Sequence, residues 1–200
     1  MRTRATVRLA SMTVAALAAI SLAACGPSTD LRMAGAEGTA ASDAFRDVGV
    51  GQPFSFGATM LCLSRPGNVV LRSVAVHQPN GDIEVQAFAV RLNPFLRGLD
   101  GLGGEASTIA GLKSDFDPDA PVKQVSGVCP EDPANPPDSV SAQLVELAVQ
   151  VVRGSGGAAG GSALDVAYEV DGSTRTAVIP HGVWLCAATC PPEAGTLYKP

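Results

Sequence analysis

From Phe54 onward the apolar residues of this chain recur with a period of two, the repeat of a strand with one buried face. The clearest run lies between Ser139 and Val152, where Val145, Leu147, Val149 and Val151 share one side and Glu146, Ala148 and Gln150 the other. Asp165 to Val170 alternates in the same way, with Val166, Tyr168 and Val170 inward. Asp171 and Gly172 then give a hairpin turn signal into Arg175 to Pro180, and a last run extends from His181 to Cys186. Upstream, Phe54 to Leu63 makes the first strand. Val69 to Val76 and Ile83 to Leu92 flank Pro79, Asn80, Gly81 and Asp82, a second hairpin signature.

About seven short strands with turn residues between them, and few long helical patterns, predict an all-β antiparallel sandwich. The best helix candidate is Gly104 to Leu112, where Ser107 and Thr108 offer a start. Two long polar connections, Leu92 to Asp119 and Ser126 to Ser139, read as solvated surface loops, and they are also the places to look for a binding surface, because rigid sheets commonly present function on loops. The small-residue run from Gly154 to Ser162 reads as a flexible hairpin connection. It is not followed by the Gly-Lys-Ser/Thr of a phosphate loop, and a strand rather than a helix comes next.

The N-terminal pattern is different. Arg2, Arg4 and Arg8 precede a 16-residue apolar stretch from Leu9 to Ala24, shorter than the roughly 20 residues of a spanning helix and laid out like an export signal. Leu22, Ala23, Ala24 and Cys25 resemble the lipobox of bacterial prolipoproteins. That resemblance implies a diacylglyceryl group on the Cys25 thiol, cleavage before it, and a palmitate-type acyl anchor in the outer face of a cell membrane. The expected division is a signal peptide over 1–24, a lipidated flexible tether over 25–50 and a β-sandwich domain over 51–200. The tether, rich in Gly, Ala, Ser and Thr, would span about 25–30 Å as a random coil. A short helix from Ala40 to Arg46, capped by Ser42 and Asp43 and anchored by Phe45, is the competing reading. The body is similar to small exported immunoglobulin-like envelope proteins through Gly51 to Phe56, Met60 to Leu63, Ala87 to Arg91 and Val183 to Cys186. This resemblance implies an immunoglobulin-like sandwich and no particular activity.

Composition narrows the picture further. The 200 residues carry 14 basic and 19 acidic side chains, a net charge of −5, which argues against a binder of the phosphate backbone, so no nucleic acid partner is expected. Cleavage before Cys25 would remove 24 residues and three arginines, leaving 176 residues and 11 basic against 19 acidic groups, near −8. Such a body is repelled by anionic headgroups, so acyl chains have to supply the membrane attachment.

With Cys25 assigned to lipid, Cys62, Cys129, Cys186 and Cys190 remain, an even number in an exported chain. Two disulfides are expected, with three connectivities open: Cys62 to Cys129 with Cys186 to Cys190 is preferred, and a bond from Cys62 to Cys186 across the sheets is the rival. The alternative chemistry is a copper or zinc site using His181, Cys186 and Cys190, with Met60 close to Cys62. No standard zinc spacing supports it.

The chain has two histidines. His77 reads as a turn-edge surface residue and His181 as the opening residue of a strand. Asp115, Asp117 and Asp119 place carboxylates like the start of a calcium loop, but Ala120, Pro121 and Ser126 stand where glycine and a bidentate glutamate belong. Glu131, Asp132 and Asp138 add acid nearby without a paired-carboxylate spacing. Trp184, the one tryptophan, reads as a core anchor. No nucleophile elbow or Ser-x-x-Lys occurs. These readings point to a non-enzymatic binding or accessory module of the envelope, without a cofactor, acting on another envelope protein or ligand. A metal-binding lipoprotein is the first alternative and a small secreted hydrolase the second.

Overall fold

The computed structural model describes residues 28–35, 40–92, 104–112, 116–132, 143–195 and 198. These residues hold twelve strands: β1 Leu31–Met33, β2 Ala41–Phe45, β3 Pro53–Leu63, β4 Val69–Val76, β5 Ile83–Leu92, β6 Gly104–Ala106, β7 Gln124–Val125, β8 Val145–Arg153, β9 Ala158–Gly161, β10 Leu164–Val170, β11 Ser173–Ile179 and β12 His181–Cys186. The seven runs read from the alternation are the seven strands of six residues or more. The five additions are shorter and carry too few residues for a period to show.

The strands form an all-β sandwich. One sheet has the order β1, β3, β8, β5, with β6 paired to β3; a second has the order β11, β10, β4, β7; a third has β2, β12, β9. Pairing is antiparallel throughout except between β2 and β12. A single apolar core joins the sheets, with Phe56, Leu61, Leu147 and Val149 from the first, Leu71, Val74, Leu164 and Tyr168 from the second, and Val183 and Leu185 from the third. The inward sets predicted for β8 and β10 are all buried. Sheet packing of this kind removes one face of a strand from water, and burial alternates most plainly in β10.

The β10 to β11 hairpin closes as expected, with Asp171 and Gly172 at φ of 50° and 73° in the turn. The second hairpin does not form. Although Gly81 turns with φ of 78°, β4 pairs with β10 and β7 while β5 pairs with β8, so the chain crosses between sheets at Pro79 to Asp82. Turn residues specify a reversal locally and not which strand is met afterwards.

Three other expectations are corrected. Residues 31–33 and 41–45 are strands rather than parts of a flexible tether or a helix. Leu31 inserts into the core, Ser64 N donates to the Asp30 carbonyl, and Phe45 packs against Phe54 with ring centroids 4.3 Å apart. The helix expected at 104–112 is instead β6 followed by a 3₁₀ turn, Ile109–Gly111. Its Ile109 and Leu112 lie with Phe116 over Ala89 and Ala148, so this connection roofs the outer face of the first sheet. The glycine run 154–162 is half strand. A Cβ on Gly160 would lie 2.2 Å from the Val183 carbonyl oxygen and 2.6 Å from the Trp184 ring, and only glycine permits that approach.

Candidate functional site

The phase of β3 decides what surrounds His181. Phe54 and Phe56 face inward, but the register shifts between Gly57 and Thr59, and the extra residue of that bulge turns Thr59, Leu61 and Leu63 to the core. Thr59 Oγ1 then lies 2.7 Å from His181 Nδ1, and His181 Nε2 lies 2.9 Å from Asp43 Oδ2. With the imidazole neutral, Nε2–H donates to the carboxylate and Nδ1 accepts from the threonine hydroxyl. Phe56 stacks on the ring at 5.6 Å between centroids.

Hydroxyl, imidazole and carboxylate in line is the order that nucleophilic hydrolases use. Here Thr59 is 1% and His181 2% exposed, so a substrate has no approach to the hydroxyl, and Asp43 alone reaches solvent. The arrangement ties three strands from two sheets, β3, β12 and β2, through one side chain, and keeps the buried polar atoms of His181 paired. It acts as an interior clamp.

His77 follows β4 at a turn, as expected, but it is half-buried rather than a surface residue, with a carboxylate partner, Asp165, 2.8 Å from Nδ1. Tyr198 meets the His77 ring edge-on at 5.7 Å. The third polar cluster lies on the outer face of the first sheet. Arg91 on β5 and Glu146 on β8 are cross-strand neighbours, and the Arg91 Nε donates to Glu146 Oε2 at 2.7 Å with both side chains almost fully buried. Phe116 covers the guanidinium, 4.5 Å from its ring centroid to Cζ. Sequence alternation placed Glu146 on an outer face and carried no sign that another segment covers that face.

The preferred cysteine pairing is the one formed. Cys62 and Cys129 are joined with Cα atoms 4.9 Å apart, and Cys186 and Cys190 with Cα atoms 5.2 Å apart. The first bond belongs to a seam in which Cys129 N donates to the Leu63 carbonyl at 2.8 Å and Leu63 N to the Gly127 carbonyl at 2.7 Å. These bonds exclude the rival from Cys62 to Cys186. They also remove Cys186 and Cys190 as thiolate ligands, while both nitrogens of His181 are already engaged. Hence the three residues of the candidate copper or zinc set do not meet as ligands. Among the described residues no three potential ligands cluster for a metal.

Of the acidic loop, Asp115 and Asp138 lie outside the described residues, as does the lipidation residue Cys25. Asp117 Oδ1 accepts from the Asp119 backbone N–H at 2.9 Å, the bond of a local turn. Trp184 is 4% exposed and sits with Cys186, Ala194, Ala158 and Cys190 on the side of β12 away from the main core. It therefore anchors the C-terminal segment instead of offering a platform for a ligand. The chain matches no family model, no curated protein and no solved structure.

Proposed function

We propose that this chain is an envelope lipoprotein, held outside a membrane by acyl groups on Cys25, whose sandwich acts as a non-enzymatic binding or accessory module. The observation that carries the reading is the use of the cysteines. Four of five are joined in two disulfides, the chemistry of an oxidising compartment, and the fifth is the residue at the lipobox position behind a basic and then apolar leader. The non-enzymatic part is supported by burial. The hydroxyl and imidazole that would carry hydrolysis form the interior clamp of Thr59, His181 and Asp43. The partner would be another envelope component, met by the exposed strands and loops.

Replacing Cys25 with alanine tests the anchor. The variant is expected to lose incorporation of labelled palmitate and to keep its leader uncleaved by the lipoprotein signal peptidase. Normal labelling of the Cys25→Ala chain would contradict the reading.

A further inference from the structure

Strand β11 carries the longest regular free edge among the described residues. It pairs with β10 over seven consecutive positions without a register shift and, among the described residues, has no hydrogen-bonded strand on its other side. Other edges are blunted. β1, β6 and β7 have three residues or fewer, β2 has five and is tied through Ser42 to the Ala194 carbonyl, β5 has a register shift between Val85 and Ala87, and β9 is bridged by reciprocal bonds between Asn80 and Gly160. Short strands and irregular registers are usual protections of a sheet edge, and β11 has neither; β1 lies near it, where Asp30 reaches Arg175. Ser173 to Thr176 and Val178 are exposed, and no proline or lysine interrupts the strand.

The direction of its backbone groups follows from the hairpin. A two-residue turn at Asp171 and Gly172 sets the Ser173 N–H toward the Val170 carbonyl, so Ser173, Arg175, Ala177 and Ile179 bond to β10. Thr174, Thr176 and Val178 therefore turn their N–H and C=O groups outward. Among the described residues none of these groups meets a backbone partner.

We propose that this edge pairs with β11 of a second copy of the chain, antiparallel, about a two-fold axis at Thr176. In that register Thr176 faces Thr176, and Thr174 faces Val178 in both directions. Every outward residue thus finds an outward residue, giving about six backbone hydrogen bonds. Arg175, the strand's one charge, is held by Asp30 at 3.4 Å and would oppose Ala177. Moving the axis one residue earlier would set Arg175 against Arg175, a like-charge pair. Moving it one residue later would oppose Thr174 to Pro180, which has no N–H to give. The sequence of the edge is thus self-complementary in one register, and the cross-strand Thr–Thr and Thr–Val pairs suit a pleated surface. A seven-residue edge covers less than a standard interface of about 1,600 Å², so the pairing is weak in solution. Confinement of copies to one membrane surface would favour it.

Sedimentation equilibrium of the full chain in detergent, from about 10 μM to about 1 mM, tests this independently of the state of Cys25. A monomer–dimer equilibrium is expected, with the amides of Thr174, Thr176 and Val178 exchanging more slowly as concentration rises. Thr176→Pro removes an N–H that points to solvent in the monomer, so it is expected to leave the thermal transition of the monomer in place and to weaken the dimer at least about tenfold. Thr176→Lys sets two ammonium groups opposite one another and is expected to do the same. A monomer at every concentration, including one whose edge is protected only by an added extended peptide, would overturn the proposal. So would a dimer that both variants leave intact.

Discussion

Replacing Glu146 with alanine is expected to destabilise the domain by about 3–5 kcal/mol, because it takes a carboxylate away from a buried guanidinium and leaves its own buried volume empty. Arg91 and Glu146 are cross-strand neighbours on β5 and β8, 2% and 0% exposed at their side chains. Phe116 seals the guanidinium from above. The cost comes from losing a buried charged partner together with the volume it fills. Glu146→Gln, which keeps an acceptor but no charge, is therefore expected to fall between wild type and Glu146→Ala. The double replacement Arg91→Met with Glu146→Leu is expected to recover most of the loss, since similar apolar volume meets Ala89, Ala148, Ile109 and Leu112 on the same face. Urea unfolding of the four proteins measures this directly. Equal stability of Glu146→Ala and wild type would show that water reaches the pair.

Replacing Cys62 and Cys129 together with alanine is expected to cost about 4 kcal/mol. The bond closes a loop with a sequence separation of 67, and a loop of that length restricts the unfolded chain strongly. The bond also holds the segment beginning at Ser126 against the end of β3, where Gly127 and Cys129 bond to Leu63. The Cys186 to Cys190 bond has a separation of only 4, so by the same reasoning its removal costs less. Thermal unfolding of the two double variants should rank them in that order. A smaller loss for the Cys62 and Cys129 replacement would contradict the loop-closure account.

The sequence revealed the fold where a strand is long and its two faces differ in polarity. Val145, Leu147, Val149 and Val151 could be read directly because their neighbours differ in polarity. In β12 all six residues are buried, and the run is recognisable by its apolar content rather than by alternation. The parallel pairing of β2 with β12 left no local trace, because Ala41 to Phe45 gains its order from a strand about 140 residues later in the chain.

The polar sites follow the same division. His181 stood out as one of two histidines, but its partners Asp43 and Thr59 are 138 and 122 residues away, and no spacing rule joins them. One signal was present in β3. Phe54 and Phe56 occupy even positions while Leu61 and Leu63 occupy odd ones, and that change of phase marks the bulge that turns Thr59 inward. The cysteines were the most legible feature: four besides Cys25 predict two bonds, and the pairing preferred among the three open ones is the one formed. Glu146 was the least legible, since its burial depends on a connection whose glycine-rich sequence resembles an open loop.

A peptide mass map of the membrane-extracted chain, digested without reduction, reads the state of all five cysteines at once. The expected map holds an N-terminal peptide beginning at an acylated Cys25, one linked pair containing Cys62 and Cys129, a second containing Cys186 and Cys190, and no alkylated thiol. An unmodified peptide beginning at Met1, a link between Cys62 and Cys186, or four alkylated thiols would contradict it.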